Sequence, residues 1–173
     1  MPLPSTMTPI ATQTLTAGAV SVTFSSIPST YTDLVFVVNA QQGAGAPIYV
    51  RVNGSSSSIY STTSMRGSGS TATSVGFRAT GSGIDGLGVW VQDEAFPDSS
   101  SFGIITYNFM NYSNTTTYKS VLIRYSNAVS TVGSNVSLIQ TTSAISSLEI
   151  RNGGVAPNFA IGSTFTLYGI KAA

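Results

Sequence analysis

The chain contains no cysteine and no histidine. Without cysteine it can form neither disulfides nor zinc–thiolate sites, and cysteine usage cannot indicate its redox compartment. Without histidine it lacks the usual general base, the commonest metal ligand and the side chain that titrates near neutral pH. These two absences weigh against hydrolytic and metal-dependent chemistry, and we expect neither an enzyme nor a bound cofactor.

Charge is also scarce, since only 8% of the 173 residues are charged and the net charge is +1. Clustered Lys and Arg are needed to displace counterions from nucleic acid, so no nucleic-acid partner is expected. No apolar run approaches the roughly 20 residues of a membrane-spanning helix. The first residues have neither a basic nor an apolar stretch typical of a signal peptide. We therefore expect no membrane partner.

Polarity comes instead from Ser, Thr, Asn and Gly. A neutral, hydroxyl-rich surface resists aggregation poorly when the net charge is close to zero. Such a composition favours a protein held in an assembly or one that faces sugars, although many secreted β-proteins share it.

The segment from Ser101 to Tyr125 predicts two long strands joined by a polar turn at Ser113–Thr117. Side chains alternate between the faces of a strand, so the first strand should place Ile105, Tyr107 and Phe109 on one face. This hairpin is a candidate for the centre of a sheet.

Further short strands separated by Gly and Ser turns predict an all-β protein, an antiparallel, jelly-roll-like β-sandwich. We expect a single domain over residues 10–173. Asp33–Asn39 is apolar on both faces and predicts a central strand buried on both. Asn53-Gly54 predicts a hairpin with a return strand at Ser58–Ser64. Met65–Ser74 is low in complexity and predicts a flexible surface loop.

Residues 1–9 predict an extended N-terminal arm, because three prolines restrict the backbone and little of the segment can be buried. An arm that cannot pack on its own domain can reach a neighbouring subunit. The alternative is a frayed terminus. The candidate assembly contacts are Pro2, Leu3, Pro4, Met7 and Ile10.

Six acidic residues are the remaining candidates for catalysis or metal binding. A glycosidase needs two carboxylates on either side of one bond, and Asp93, Glu94 and Asp98 form the one acidic cluster. The same cluster has oxygen ligands suitable for calcium. Its spacing matches no calcium-loop pattern, so a solvated loop is the preferred interpretation.

Aromatic residues are candidates for stacking against sugars. Trp90, Tyr107, Tyr112, Tyr118 and Tyr125 could form a platform beside hydrogen-bonding Asn and Ser side chains, although most aromatics in strands belong to the core. The candidate ligand or contact surface comprises Trp90, Tyr112, Asn114 and Tyr118.

Two passages, IATQTLTAGAVSVTFSSIPSTYTDLVFVV near the start and IGSTFTLYGIKAA at the end, resemble a set of small tailed-bacteriophage virion proteins. A central passage, NYSNTTTYKSV, is similar to that set as well. The residues that carry the resemblance are Val22, Phe24, Ile27, Pro28, Tyr31, Asp33, Leu34, Tyr112, Tyr118, Lys119, Ser120, Val121, Gly162, Ser163, Leu167, Tyr168, Gly169 and Ile170. These motifs describe strands and turns and include no catalytic group.

The resemblance implies a jelly-roll-like sandwich on a phage particle. The leading hypothesis is a decoration or cement protein on the capsid exterior, which bridges subunits of the major capsid protein or other virion proteins. The alternative is a tail or fibre adhesin that binds host surface polysaccharide through Gly67–Thr73 and Ser113–Thr117. A homo-oligomer is expected, and virion symmetry suggests a trimer.

Overall fold

The computed structural model describes residues 6–42, 48–77, 87–89, 101–127, 131–153 and 159–171. Over these ranges the chain forms strands and connecting turns, with no helix. The strands are β1 (Met7–Thr14), β2 (Ser21–Phe24), β3 (Asp33–Ala40), β4 (Ile48–Val52), β5 (Tyr60–Ser68), β6 (Thr71–Phe77), β7 (Leu87–Val89), β8 (Gly103–Phe109), β9 (Lys119–Ser126), β10 (Thr131–Ile139), β11 (Leu148–Asn152) and β12 (Thr164–Ile170). The predicted all-β class is confirmed.

The strands form two antiparallel sheets. The larger has eight strands in the order β1-β12-β3-β8-β9-β10-β5-β6, and the smaller has four in the order β2-β11-β4-β7. One apolar core contains side chains from both sheets, and the rings of Phe24 and Phe36 meet across it at 5.5 Å between centroids. The fold is therefore a β-sandwich with unequal sheets, and it has more strands than the eight of a jelly roll.

The predicted central hairpin is confirmed as β8 and β9, which lie in the middle of the larger sheet. Ile105, Tyr107 and Phe109 all point into the core and are fully buried. The ring of Tyr107 stacks against Phe36 at 6.0 Å and against Phe109 at 6.2 Å between centroids. In β8, large apolar and aromatic residues at every second position of the sequence therefore predicted the buried face of the strand correctly.

Strand β3 is central, as its apolar run predicts, but it is not buried on both faces. Leu34, Phe36 and Val38 are inaccessible, whereas Val35 and Val37 on the opposite face are half-buried. The smaller sheet covers only one side of the larger sheet. Within the described ranges, no second sheet lies on the other side.

The predicted hairpin at Asn53-Gly54 is wrong, although the turn itself is present. Both residues have positive φ, 51° and 66°, and the Ser55 amide donates to the Val52 carbonyl at 2.9 Å. The turn connects β4 in the smaller sheet to β5 in the larger, where β5 pairs with β10 and β6. Local turn chemistry specifies the reversal, whereas distant partners decide which strands pair.

The predicted loop at Met65–Ser74 is also wrong. Strands β5 and β6 form a hairpin there, with Ser68 opposite Thr71 and a two-residue turn at Gly69-Ser70. Gly69 has φ of 71°, which favours glycine. Thr and Ser occupy both faces of the two strands, so the segment lacks the alternation of apolar and polar residues that predicts a strand.

Two glycines of the larger sheet make room for tyrosine rings. A Cβ atom at Gly133 would overlap the ring of Tyr125, and one at Gly169 would overlap the ring of Tyr31. Each ring thus lies directly on the backbone of a neighbouring strand, covering a glycine that has no side chain of its own to pack.

Candidate functional site

The side of the larger sheet that faces away from the smaller one is called the outer face here. Because directly paired residues share a face, the strand register fixes its composition. The outer side chains of the central strands are Asp33, Val35, Val37, Asn39, Ile104, Thr106, Asn108, Ser120, Leu122, Arg124, Ser126, Val132, Ser134, Val136 and Leu138. Within the described strands, Arg124 and Asp33 are the charged side chains on this face.

Apolar side chains on the outer face are well exposed. Val132 is 61% exposed, Val136 56%, Met65 56% and Ile104 49%. Single exposed apolar residues are ordinary, but a contiguous apolar patch on a folded domain marks an interaction surface. The outer face has four such residues on strands β8, β10 and β5, interspersed with Thr106, Arg124 and Ser134.

In strand β10, polar side chains point inwards and valine side chains point outwards, which is the reverse of the usual arrangement in a β-sandwich. Thr131, Asn135 and Ser137 point to the inner side and are buried, while Val132 and Val136 point outwards and are exposed. The buried hydroxyls are satisfied in part by Thr62, whose Oγ1 lies 2.9 Å from the Ser137 Oγ. The packing of this domain does not account for the exposed valines, so they are candidates for contacts outside it.

The second candidate region is called the loop end, the end of the sandwich formed by residues 25–32, 53–59, 110–118 and 140–147. Strands of both sheets end there. Asn53 connects two of these segments, since its Nδ2 donates to the Ala144 carbonyl at 2.8 Å and its Oδ1 accepts from the Ser146 amide at 2.8 Å. Side chains within the fold therefore hold these turns together.

Lys119 is fully buried at the loop end and has no carboxylate partner among the described contacts. Its three N–H groups are shared among four main-chain carbonyls, whose oxygens lie at 2.6 Å (Asn114), 2.9 Å (Thr142), 3.1 Å (Thr117) and 3.3 Å (Thr141) from Nζ. Burial lowers the pKa of the Lys119 ammonium from its usual value, and the four carbonyl dipoles oppose that effect by stabilising the charged form. The ammonium thus ties residues 114–117 to residues 141–142.

Asn114 is half-buried and serves its own turn. Its Oδ1 accepts from the Thr116 and Thr117 amides at 2.7 and 2.9 Å. A side chain that bonds to amides two and three residues ahead stabilises a tight turn. The oxygen predicted to meet a ligand is therefore already engaged within the loop.

Tyr112 is fully buried, and its hydroxyl donates to the main-chain carbonyl of Pro28. Its predicted place on an exposed contact surface is wrong. Tyr112 lies just after β8, where alternation no longer indicates a face, and loops 25–32 and 140–147 cover it. Tyr107 and Tyr125 are buried as well, so the core interpretation holds for these three tyrosines.

Tyr118 is the predicted contact residue that is exposed, with 55% of its surface accessible. It lies between the turn organised by Asn114 and the buried Lys119, so its backbone is fixed on both sides. Trp90 lies outside the described residues, as does the acidic cluster of Asp93, Glu94 and Asp98.

The predicted assembly contacts fall partly within the larger sheet. The predicted arm ends at residue 9, but Met7–Pro9 already pair with β12 as the first residues of edge strand β1. Met7 is exposed, whereas Ile10 lies at a bulge in β1 and packs against the core. Pro2, Leu3 and Pro4 lie outside the described residues.

The exposed apolar residues of the outer face were missed by sequence reasoning. The pattern of β10 would place Val132, Val136 and Leu138 in the core, because the opposite face of the strand has only one large apolar residue, Ile139. Only the pairing of β10 with β5 and β9 shows which side is covered.

Among the described residues, no three His, Cys, Asp or Glu side chains come together in a way that could hold a metal ion. The described part of the chain also contains no helix with the length and apolarity needed to cross a membrane. No protein-family model and no curated protein sequence matches the chain.

Proposed function

We propose that the chain is a structural protein of a tailed-phage virion, a decoration or cement protein that attaches through its outer face. The observation that carries the proposal is the reversed polarity of β10, where Val132 and Val136 are exposed while Asn135 and Ser137 are buried. Exposing valines while burying amide and hydroxyl groups is unfavourable for an isolated domain. A partner surface that covers the outer face would remove the part of this cost that comes from the exposed valines.

The outer face is large enough for a stable contact. Eight strands spaced about 4.8 Å apart and about seven residues long, at about 3.3 Å each, give a face of about 800 Å². A standard protein–protein interface buries about 800 Å² on each partner. One partner subunit could therefore cover the whole face, or two adjacent capsid subunits could share it.

The virion setting comes from the resemblance to small tailed-phage proteins in strand and turn motifs at both ends of the chain. In that setting the partner is the major capsid protein or another virion protein, and the site of action is the particle exterior. Each copy would stabilise the shell by burying its outer face across neighbouring capsid subunits. The proposal assigns no catalytic step and no cofactor.

Copy number per particle tests the proposal. Quantitative mass spectrometry of purified particles should give hundreds of copies, in simple ratio to the major capsid protein. A few copies to a few tens would instead indicate a tail or fibre component. Absence from purified particles would exclude both.

The second candidate is a tail or fibre adhesin that binds host polysaccharide at the loop end. Tyr118 favours it, because an exposed aromatic ring on a fixed turn is suited to stacking against a sugar. A ligand that binds the native state raises the melting temperature. Purified host polysaccharide should therefore raise the melting temperature of the wild type and not that of Tyr118→Ala, and no shift with either protein would exclude this candidate.

A further inference from the structure

An open groove of about 590 Å³ crosses strands β10, β5 and β6 on the outer face. Its floor is the backbone at Gly133, Arg66 and Thr73, which are paired in one row and point to the inner side. Its walls are the two flanking rows of outward side chains, Val132, Gly67 and Ala72 on one side and Ser134, Met65 and Ser74 on the other. The groove is therefore shallow and uncharged on its walls, and it extends onto β6, the last strand of the larger sheet within the described residues.

Small residues give the groove its depth. Gly67 and Ala72 form one wall almost entirely from backbone, while Val132 and Met65 project beside them and are 61% and 56% exposed. An apolar side chain could lie over Gly67 and contact both Val132 and Met65. The groove thus fits one aliphatic side chain on an extended backbone.

The segment preceding β1 has this chemistry. Residues 1–5 read Met-Pro-Leu-Pro-Ser, with an aliphatic Leu3 between two prolines and no charged side chain. Prolines at alternate positions favour an extended backbone before binding, so little conformational entropy remains to be lost when the segment binds.

The segment cannot reach the groove of its own chain. Leu3 lies three residues before Thr6, so its Cα is at most about 11 Å away along an extended backbone. Strand β1 is at one edge of the larger sheet, and β10 is five strands away, about 24 Å at about 4.8 Å for each strand. The groove also lies toward the opposite end of the strands from Met7.

We propose that the groove binds residues 1–5 of a second copy of this chain, with Leu3 over Gly67. This contact rests on the proposed role in assembly and names the partner for one part of the outer face. It is a head-to-tail contact, because the donor edge and the acceptor groove are different surfaces. Such contacts close into a ring when the rotation between copies allows it, and the expected trimer is one such ring.

The two edges of the larger sheet support this polarity. At the β1 edge, Pro9 lacks an amide donor and a bulge at Ile10 interrupts the register. These features discourage direct strand pairing with another copy. At the β6 edge, residues 71–76 are exposed and the groove opens. At the β1 edge, a contact made by residues 1–5 is thus favoured over direct pairing of β1 with a strand of another copy.

Cysteine cross-linking provides the test, because the chain has no cysteine of its own. Leu3→Cys protein is mixed with Gly67→Cys protein under oxidising conditions, and dimers of the two variants are measured on a non-reducing gel. Gly76→Cys is the matched control, since Gly76 lies on the same hairpin and face, beyond the groove. A Cβ at Gly67 or Gly76 meets no atom closer than 3.9 Å, so both variants should fold.

The expected result is at least tenfold more Leu3–Gly67 dimer than Leu3–Gly76 dimer. The chain carrying both Leu3→Cys and Gly67→Cys should form links between chains and none within a chain. Equal yields with Gly67 and Gly76, absence of both dimers, or a link within one chain would overturn the proposal.

Groove filling gives an independent measurement. Gly67→Leu should weaken self-association of the purified protein roughly tenfold, because its side chain occupies the position assigned to Leu3. Gly76→Leu should leave it unchanged, and equal effects of the two variants would contradict the proposal. Particle copy number tests the proposed function separately from the groove contact. If the protein is abundant on particles but gives no specific cross-link, only the groove contact is overturned. A specific cross-link in a protein absent from particles would overturn the virion role alone.

Discussion

The loop end and the outer face treat polar and apolar groups in opposite ways. At the loop end a lysine and a tyrosine are buried, and their polar groups, like the side-chain oxygens of Asn53 and Asn114, have main-chain partners within the same domain. On the outer face, valine, isoleucine and methionine side chains are exposed, and the described contacts of the domain leave their outward surfaces uncovered.

This difference distinguishes residues that stabilise the domain itself from residues that are available for contact with another molecule. Polar groups at the loop end are satisfied internally, so the fold explains why they are there. The exposed Val132, Val136, Met65 and Ile104 of the outer face gain little from the isolated fold, and a partner would explain them. The following predictions test that division.

The largest expected effect separates two adjacent residues of β8. Ile105 is fully buried in the core and Ile104 is 49% exposed on the outer face. Ile105→Ala should lower the free energy of unfolding by about 3 to 4 kcal/mol, because it removes buried surface and leaves a cavity. Ile104→Ala should change it by less than about 0.5 kcal/mol. Urea unfolding of both variants measures the contrast, and similar losses would contradict the assignment of the two faces.

Removing the buried ammonium should have the next largest effect. Lys119→Met leaves four main-chain carbonyls without their shared donor and should lower the free energy of unfolding by about 3 kcal/mol. Lys171→Met is the control, because Lys171 is exposed and its Nζ lies 5.9 Å from the Tyr31 ring centroid. It should cost less than about 1 kcal/mol. If thermal unfolding gave equal losses of stability for the two variants, the structural role assigned to Lys119 would be wrong.

Alkaline pH should destabilise the protein through its buried tyrosines. Burial raises the pKa of Tyr60, Tyr107 and Tyr112 above the ordinary value of 10.0. As the pH rises above about 10, the unfolded state loses these protons first, so it binds fewer protons than the native state and stability falls. Lys119 has the opposite sign, because its lowered pKa makes the unfolded state bind more protons just below its usual value.

Ultraviolet absorbance of tyrosinate, followed together with circular dichroism, tests this prediction. Tyr60, Tyr107 and Tyr112 should ionise only together with unfolding. Ionisation of every tyrosine while the native circular dichroism persists would contradict the burial of these hydroxyls.

The smallest expected effect is at the exposed residue of the loop end. Tyr118→Ala should change the free energy of unfolding by less than about 0.5 kcal/mol, because the ring contributes little to the core. It should also leave the copy number on particles unchanged if the outer face makes the attachment. Loss of particle binding in Tyr118→Ala would move the attachment site to the loop end.

The sequence predicted the strands best where one face is clearly more apolar than the other. Phe165 and Leu167 alternate with Thr164 and Thr166, and the buried face of β12 follows directly from that pattern. The same is true of β8 and β9. In these strands the apolar residues are the ones that the fold buries. The hydrophobic effect at each position therefore favours the orientation that the strand adopts.

Other features depended on distant parts of the chain. The turn at Asn53 was predicted, but the partner of β5 was not, because the choice between β4 and β10 is made by the whole sheet. The exposure of Val136 could not be predicted either, because nothing local in the sequence of β10 shows which of its sides is covered. The position of the candidate outer face therefore could not be predicted from the alternation of one strand.

Occupancy of the particle surface tests the central claim most directly. Purified particles lacking the protein are incubated with wild type, with Val136→Asp on the outer face, or with Thr23→Asp as a control that is exposed on β2 in the smaller sheet. A charge in the centre of a buried interface should reduce bound copies at least tenfold for Val136→Asp and leave Thr23→Asp at the wild-type level. Wild-type occupancy with Val136→Asp would contradict attachment through the outer face.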